Sequence, residues 1–150
     1  MDMLDEFFET RRWPADKPGL IPAVYEGWRT HTDVYAKILD EYGFRGWFYI
    51  PAFFPDVPVE EQIPFCKPHG LRLFAQDDYD DPRCCMTWDE IRELSKNHEI
   101  CCHTGNHVDI PPEMAPEKSV MRWWIPRSVW RSRFRKRCPF SAGALARSTG

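Results

Sequence analysis

Four short apolar runs, the first three flanked by proline or glycine and all set apart by segments with helical spacing, constrain this fold more than any other feature of the chain. The runs are Leu20–Tyr25, Phe44–Ile50, Leu71–Ala75 and Glu99–Cys102. Between the first two, Val34, Ile38, Leu39 and Tyr42 recur at helical intervals, which predicts a helix over 32–42. Thr30 and Asp33 have capping-box spacing, and Gly43 supplies a left-handed helix end. Phe44–Ile50, rich in aromatics and closed by Pro51, reads as a strand buried on both faces. Pro58 is placed to open a second helix, with Gly70 after it. Thr87 and Glu90 repeat the capping-box spacing ahead of Trp88, Ile91 and Leu94, which share one helical face. Strand and helix alternating in units of about 25 residues predict parallel βα architecture, open or closed into a barrel.

Ligands of such folds bind where strands end at their carboxyl edges. Two polar clusters fall at these edges: Tyr25-Glu26-Gly27 after the first run, and His103-Thr104-x-x-His107 after the fourth. Four positions apart, His103 and His107 reach one side of a helical or tight-turn backbone, where two imidazoles can hold a divalent metal. The acidic loop Asp77, Asp78, Asp80 and Asp81 is a further cation or base candidate, but it lacks the spacing of a calcium-binding loop. His31, His69 and His98 have no partners at useful spacing and are assigned surface or supporting roles.

Composition narrows the remaining choices. A chain of 150 residues, 43% hydrophobic and 29% charged, suits one domain with a core. No apolar stretch approaches the roughly 18–20 residues of a membrane span, and the first residues are acidic, so the expected location is the cytoplasm. The six cysteines include two adjacent pairs and no C-x-x-C, which predicts thiols in a reducing compartment rather than a zinc ribbon or disulfide framework. Charge is split sharply. Residues 119–150 hold eight Lys or Arg and no acid, whereas the first 118 hold twelve basic and twenty-three acidic residues.

The run MTWDEIRELSKNHEICCHTGNH resembles the second motif of the NodB-type polysaccharide deacetylases (carbohydrate esterase family 4-like), with its helical lead-in. The run VYEGWRTHTDVYAKILDEYGFRGWFYIP is similar to their first motif, usually T-F-D-D-G, and its following helix. Together they cover roughly 20–110. The resemblance implies an incomplete parallel (β/α) barrel of the polysaccharide deacetylase type over 1–118. It also implies metal-dependent hydrolysis of carbon–nitrogen, non-peptide bonds in an N-acetylated carbohydrate or related small amide. Glu26 takes the place of the metal-binding aspartate, and His103 and His107 match the histidines, so these three are the expected ligands of a divalent metal, zinc by type. Tyr25 stands at the general-base position. A carboxylate with a pKa near 4 takes the proton of an attacking water at neutral pH, while a phenol with a pKa of about 10 accepts it poorly. Impaired activity is therefore expected, and the alternative is an inactive metal- or carbohydrate-binding pseudoenzyme.

Beyond Lys118 the resemblance stops. Arg122, Arg127, Arg131, Arg133, Arg135, Lys136 and Arg137 alternate with Trp123, Trp124, Trp130 and Phe134, giving an irregular basic tail over 119–150. Arg and Trp have G-rich codons, the bias of a GC-rich gene read out of frame. With permitted codons, a shift of two nucleotides turns Trp130–Gly150 into a string like the family's next segment, so a frameshift is the expected origin. A second functional class, nucleic-acid or anionic-membrane binding through basic and aromatic residues, is the competing reading, although no specific nucleic acid is expected as a partner. An incomplete barrel leaves an open sheet edge, which predicts self-association, low solubility and a partly molten chain.

Overall fold

The computed structural model describes residues 3–73 and 82–107. Helix α1 (Met3–Thr10) precedes strand β1 (Ala23–Tyr25). A π-helical turn, His31–Tyr35, runs into α2 (Ala36–Glu41), then β2 (Trp47–Ile50). A 3-10 turn at Phe54–Asp56 leads to α3 (Val59–Cys66), a second at Lys67–His69 follows it, and α4 (Trp88–Leu94) precedes β3 (Glu99–Cys102). The sheet of the described residues is three-stranded and parallel, in the order β1-β2-β3. Its register aligns Tyr25, Tyr49 and Cys101, and aligns Val24, Phe48 and Ile100 on the opposite face.

The second face carries the core, because alternate residues of a strand point to one side. Phe48, Ile50 and Ile100 pack with Ile91 and Leu94 of α4, Ala36 of α2, and Met86 and Ala52. The helical face read from Trp88, Ile91 and Leu94 is the one that docks. The Thr87 capping box is formed, with Thr87 Oγ1 accepting from the Glu90 amide at 3.2 Å and Glu90 Oε2 accepting from the Thr87 amide at 2.6 Å. A smaller cluster of Phe54, Cys66, Leu71 and Cys85 packs with Trp28, Val57, Phe65 and Cys84.

Several expectations are corrected. The first run forms strand only over Ala23–Tyr25, leaving Leu20 71% exposed: Pro22 has no N–H for the ladder, though its carbonyl accepts from Trp47 at 2.8 Å. Strand β2 is buried on one face only, since Trp47 and Tyr49 are half-buried, and Phe44 lies outside it and is exposed. Thr30 is itself helical and makes no cap bond; Asp33 instead faces Arg29 at 3.6 Å, one turn back. Of the predicted α2 face, Leu39 reaches the core while Val34, Ile38 and Tyr42 are exposed.

Leu71–Leu73 is not strand. Gly70, at φ +68°, turns the chain so that the Leu71 amide donates to the Cys66 carbonyl at 3.0 Å, and the Leu71 side chain plugs the smaller cluster. Residues 74 and 75 of that run, the acidic loop through Asp81, Cys138 and the basic tail all lie outside the described residues. Of the surface and supporting roles expected for His31 and His98, the surface one is excluded, since each is 3% exposed. The His98 Nδ1 atom accepts from the Gly46 amide at 3.1 Å, tying the start of β2 to the start of β3. Among the described residues no helix is long and apolar enough to cross a membrane.

Candidate functional site

The parallel register brings the carboxyl ends of β1, β2 and β3 side by side, and both polar clusters leave the sheet there. Strand pairing continues briefly past the named strands: the Glu26 amide donates to Tyr49 O at 2.8 Å and the His103 amide to Ile50 O at 2.9 Å. The chain then turns sharply at each end. Glu26 has φ +85° and Gly27 φ +77°, while Thr104 and His107 have φ +61° and +51°. For a side chain as long as Glu, this left-handed conformation costs about 1–2 kcal/mol, so the turn holds the carboxylate against backbone strain. Two glycines allow the close packing that holds it. A Cβ on Gly27 would lie 2.9 Å from Ile50 Cγ2, and one on Gly105 would lie 2.7 Å from the Phe53 ring.

Glu26, His103 and His107 are thereby gathered at one edge. His107 Nε2 lies 4.0 Å from Glu26 Oε1, and the His103 and His107 rings are 4.8 Å apart, edge to face. Tyr25 lies beside them, 49% exposed, stacked on Tyr49 at 4.9 Å and edge-on to His103 at 5.4 Å. Burial, and then the neighbouring His107, push the His103 imidazole below its ordinary pKa, with Glu26 opposing both. The neutral ring that results is the form that ligates metal.

Two supports escaped the reading of the sequence. Trp28 Nε1 donates to Glu26 Oε2 at 2.7 Å, leaving Oε1 toward His107. The Trp28 ring is itself held edge-on by Phe54. His107 Nδ1 donates to the His69 carbonyl at 2.6 Å, since a carbonyl only accepts; this fixes the tautomer that leaves the Nε2 lone pair facing the site. His69 is placed by Nδ1 donation to Phe65 O at 2.7 Å and by stacking on the Phe65 ring at 4.0 Å. Trp28 follows Glu26 by two positions and was within reach of a closer reading; nothing in the sequence links residue 69 to residue 107.

The donor chemistry fits a divalent metal: one carboxylate, one imidazole oriented by a carbonyl, and one imidazole held neutral. The 4.0 Å between Nε2 and Oε1 is too long for a hydrogen bond, and it exceeds the roughly 3.4 Å between two tetrahedral ligands held about 2.0–2.2 Å from one ion, so the two side chains would have to close in around a metal. The cage is not closed, however. Among the described residues, no three His, Cys, Asp or Glu side chains converge tightly enough to hold an ion as they stand.

No protein-family model and no curated protein matches this chain. Solved structures do. The Streptococcus pyogenes deacetylase PplD in complex with acetate is 11% identical with a TM-score of 0.63, covering 90% of this chain and 49% of its own. A de-N-acetylase from Aggregatibacter actinomycetemcomitans is 17% identical with a TM-score of 0.58, covering 89% and 58%. The chain thus spans about half the length of the structures it matches. At these identities the likeness is one of backbone, and it establishes an α/β fold like that of these deacetylases.

Proposed function

We propose that this chain is a metal-dependent hydrolase of the polysaccharide deacetylase type, acting on the carbon–nitrogen bond of an N-acetylated carbohydrate or related small amide, with turnover impaired by Tyr25. The observation that carries this reading is the gathering of Glu26, His103 and His107 at one strand edge within a deacetylase-like fold. In this reading Glu26 Oε1, His107 Nε2 and His103 hold the ion, zinc by type. Its contribution when bound is to polarise the acetyl carbonyl and lower the pKa of water. Trp28 and the His69 carbonyl keep the carboxylate and the imidazole aimed at it. Hydrolysis adds water to the carbonyl carbon, breaks the carbon–nitrogen bond, and leaves acetate and a protonated amine. The proton of the attacking water needs an acceptor, and Tyr25 puts a phenol where the resemblance expects a carboxylate. That phenol can donate a hydrogen bond to a developing oxyanion.

The Tyr25–Tyr49 stack favours a second reading, an inactive carbohydrate- or metal-binding pseudoenzyme, because a pair of aromatic faces at the site suits a sugar ring as well as catalysis. Within either reading, residues 1–118 form the working domain and the basic tail has no specific nucleic-acid role. None of the five described cysteines is in a disulfide, which supports a cytoplasmic location. The described sheet ends at β1 and β3, which supports self-association through an edge.

Acetate release from an N-acetylated oligosaccharide tests the proposal, with wild type and Tyr25→Asp each assayed with and without chelator. Wild type is expected near background. Tyr25→Asp is expected to gain about 10²-fold or more, in a chelator-sensitive manner, as a restored general base would supply. Brisk wild-type turnover would refute the impairment, and no gain in Tyr25→Asp would favour the pseudoenzyme.

A further inference from the structure

The smaller core cluster contains chemistry that the candidate site does not use. Cys66, on the last turn of α3, is 1% exposed; Cys84 is half-buried and Cys85 is fully buried. Cys66 and Cys84 pack together in this cluster. Gln62, one turn before Cys66 and only 4% exposed, arranges the pair. Its Oε1 accepts from the Cys84 amide at 2.9 Å, the Cys85 amide at 3.0 Å and the Cys84 thiol at 3.5 Å, while its Nε2 donates to Val57 O at 3.2 Å. The 84–86 segment is bonded to the turn after Glu26: the Arg29 amide donates to Cys84 O at 2.8 Å, and the Met86 amide to Gly27 O at 3.0 Å.

From this arrangement we infer that Cys66 and Cys84 are an oxidation site, a dithiol that closes to a disulfide linking α3 to the 84–86 segment behind the candidate site. The inference rests on packing alone and stands whether or not the chain hydrolyses anything. The oxidant is a low-molecular-weight disulfide. The Cys84 thiolate attacks one sulfur of it, forming a mixed disulfide and releasing the first thiol. Cys66 then loses its proton and attacks the Cys84 sulfur, releasing the second thiol. Two electrons and two protons pass from the protein to the reagent, and the bond formed joins Cys66 Sγ to Cys84 Sγ.

The order follows from the surroundings. Cys84 is the more accessible thiol, and its contact with the Cys66 thiol, helped by backbone amides, holds it below its usual pKa against the effect of burial. That contact, together with burial, pushes Cys66 up. The competing pairs are poorer partners. Adjacent residues across a trans peptide have Cα atoms about 3.8 Å apart, short of the roughly 4.4–6.8 Å a disulfide spans, which disfavours Cys84–Cys85 and Cys101–Cys102. Cys101 and Cys102 also point to opposite faces of β3.

The test is peptide mapping by mass spectrometry of the full native chain after incubation with oxidised glutathione. Two of the six thiols should be lost, with one cross-linked peptide pair joining residues 66 and 84. Cys66→Ser should trap glutathione on Cys84, and Cys84→Ser should leave Cys66 unmodified. A disulfide between other cysteines, or glutathione that remains on Cys84 while Cys66 is intact, would overturn the inference. So would the survival of both thiols in the folded wild-type chain, a result that needs no variant to fold.

Discussion

Acidification should destabilise this chain through His31, a residue with no role at the candidate site. Its ring is 3% exposed, packed edge-on to Tyr35 at 5.6 Å and against Phe48 at 6.0 Å, and Nδ1 has no hydrogen-bond partner. Burial lowers its pKa from 6.5 to about 4. Because the folded value lies below the unfolded one, the unfolded chain takes up the proton first as pH falls. The stability is complete above about pH 6.5 and is lost progressively down to about pH 4. With each tenfold change in proton affinity worth about 1.4 kcal/mol, the full loss is about 3 kcal/mol, of which about 2 kcal/mol is gone by pH 5. Urea unfolding at pH 7.5 and pH 5, in wild type and in His31→Leu, isolates this contribution. His98 and Glu90, whose pKa values are also lowered, act equally in both chains and cancel. Wild type should lose about 2 kcal/mol more than the variant, an extra midpoint shift of about 1 M urea. The same acid sensitivity in both chains would mean that His31 burial contributes nothing to the pH dependence.

Further expectations concern the supports of the site. Trp28→Phe keeps the ring against Phe54 but removes the donor to Glu26 Oε2, and should weaken zinc binding by about 10–100-fold in a competition titration while leaving the fold intact. At residue 26 the usual order of Ala and Gly should invert. With φ at +85°, Glu26→Gly should be more stable to urea than Glu26→Ala by about 1 kcal/mol, although both lack the carboxylate.

Local signals read well from the sequence where one short segment carried all the information. The Thr87–Glu90 box and the Trp88, Ile91, Leu94 face depend only on helical spacing, and both are present. The strand run before HTGNH likewise becomes β3. The apolar run at Leu71 misled because burial, not strand pairing, is what its leucine satisfies, and periodicity does not separate the two. The burial of His31 and His98 was not legible for a related reason: a histidine carries no sequence mark of burial, and His98 is bonded to Gly46, 52 positions away. Glu26, His103 and His107 were legible as a set only through motif order; the structure sets His107 beside both Glu26 and His103, without three side chains converging tightly on one point. The His69 carbonyl was not legible, since a backbone acceptor has no residue signature and its contact to His107 spans 38 positions.

Whether Glu26, His103 and His107 form one metal centre is decided by elemental analysis of the metal bound per chain. Wild type, Glu26→Ala and the His103→Ala, His107→Ala double variant are each loaded with zinc and dialysed to equilibrium, with folding checked by circular dichroism. One weakly held ion per wild-type chain is expected, and none in either variant. Equal zinc content in wild type and the folded double variant would contradict a shared metal centre.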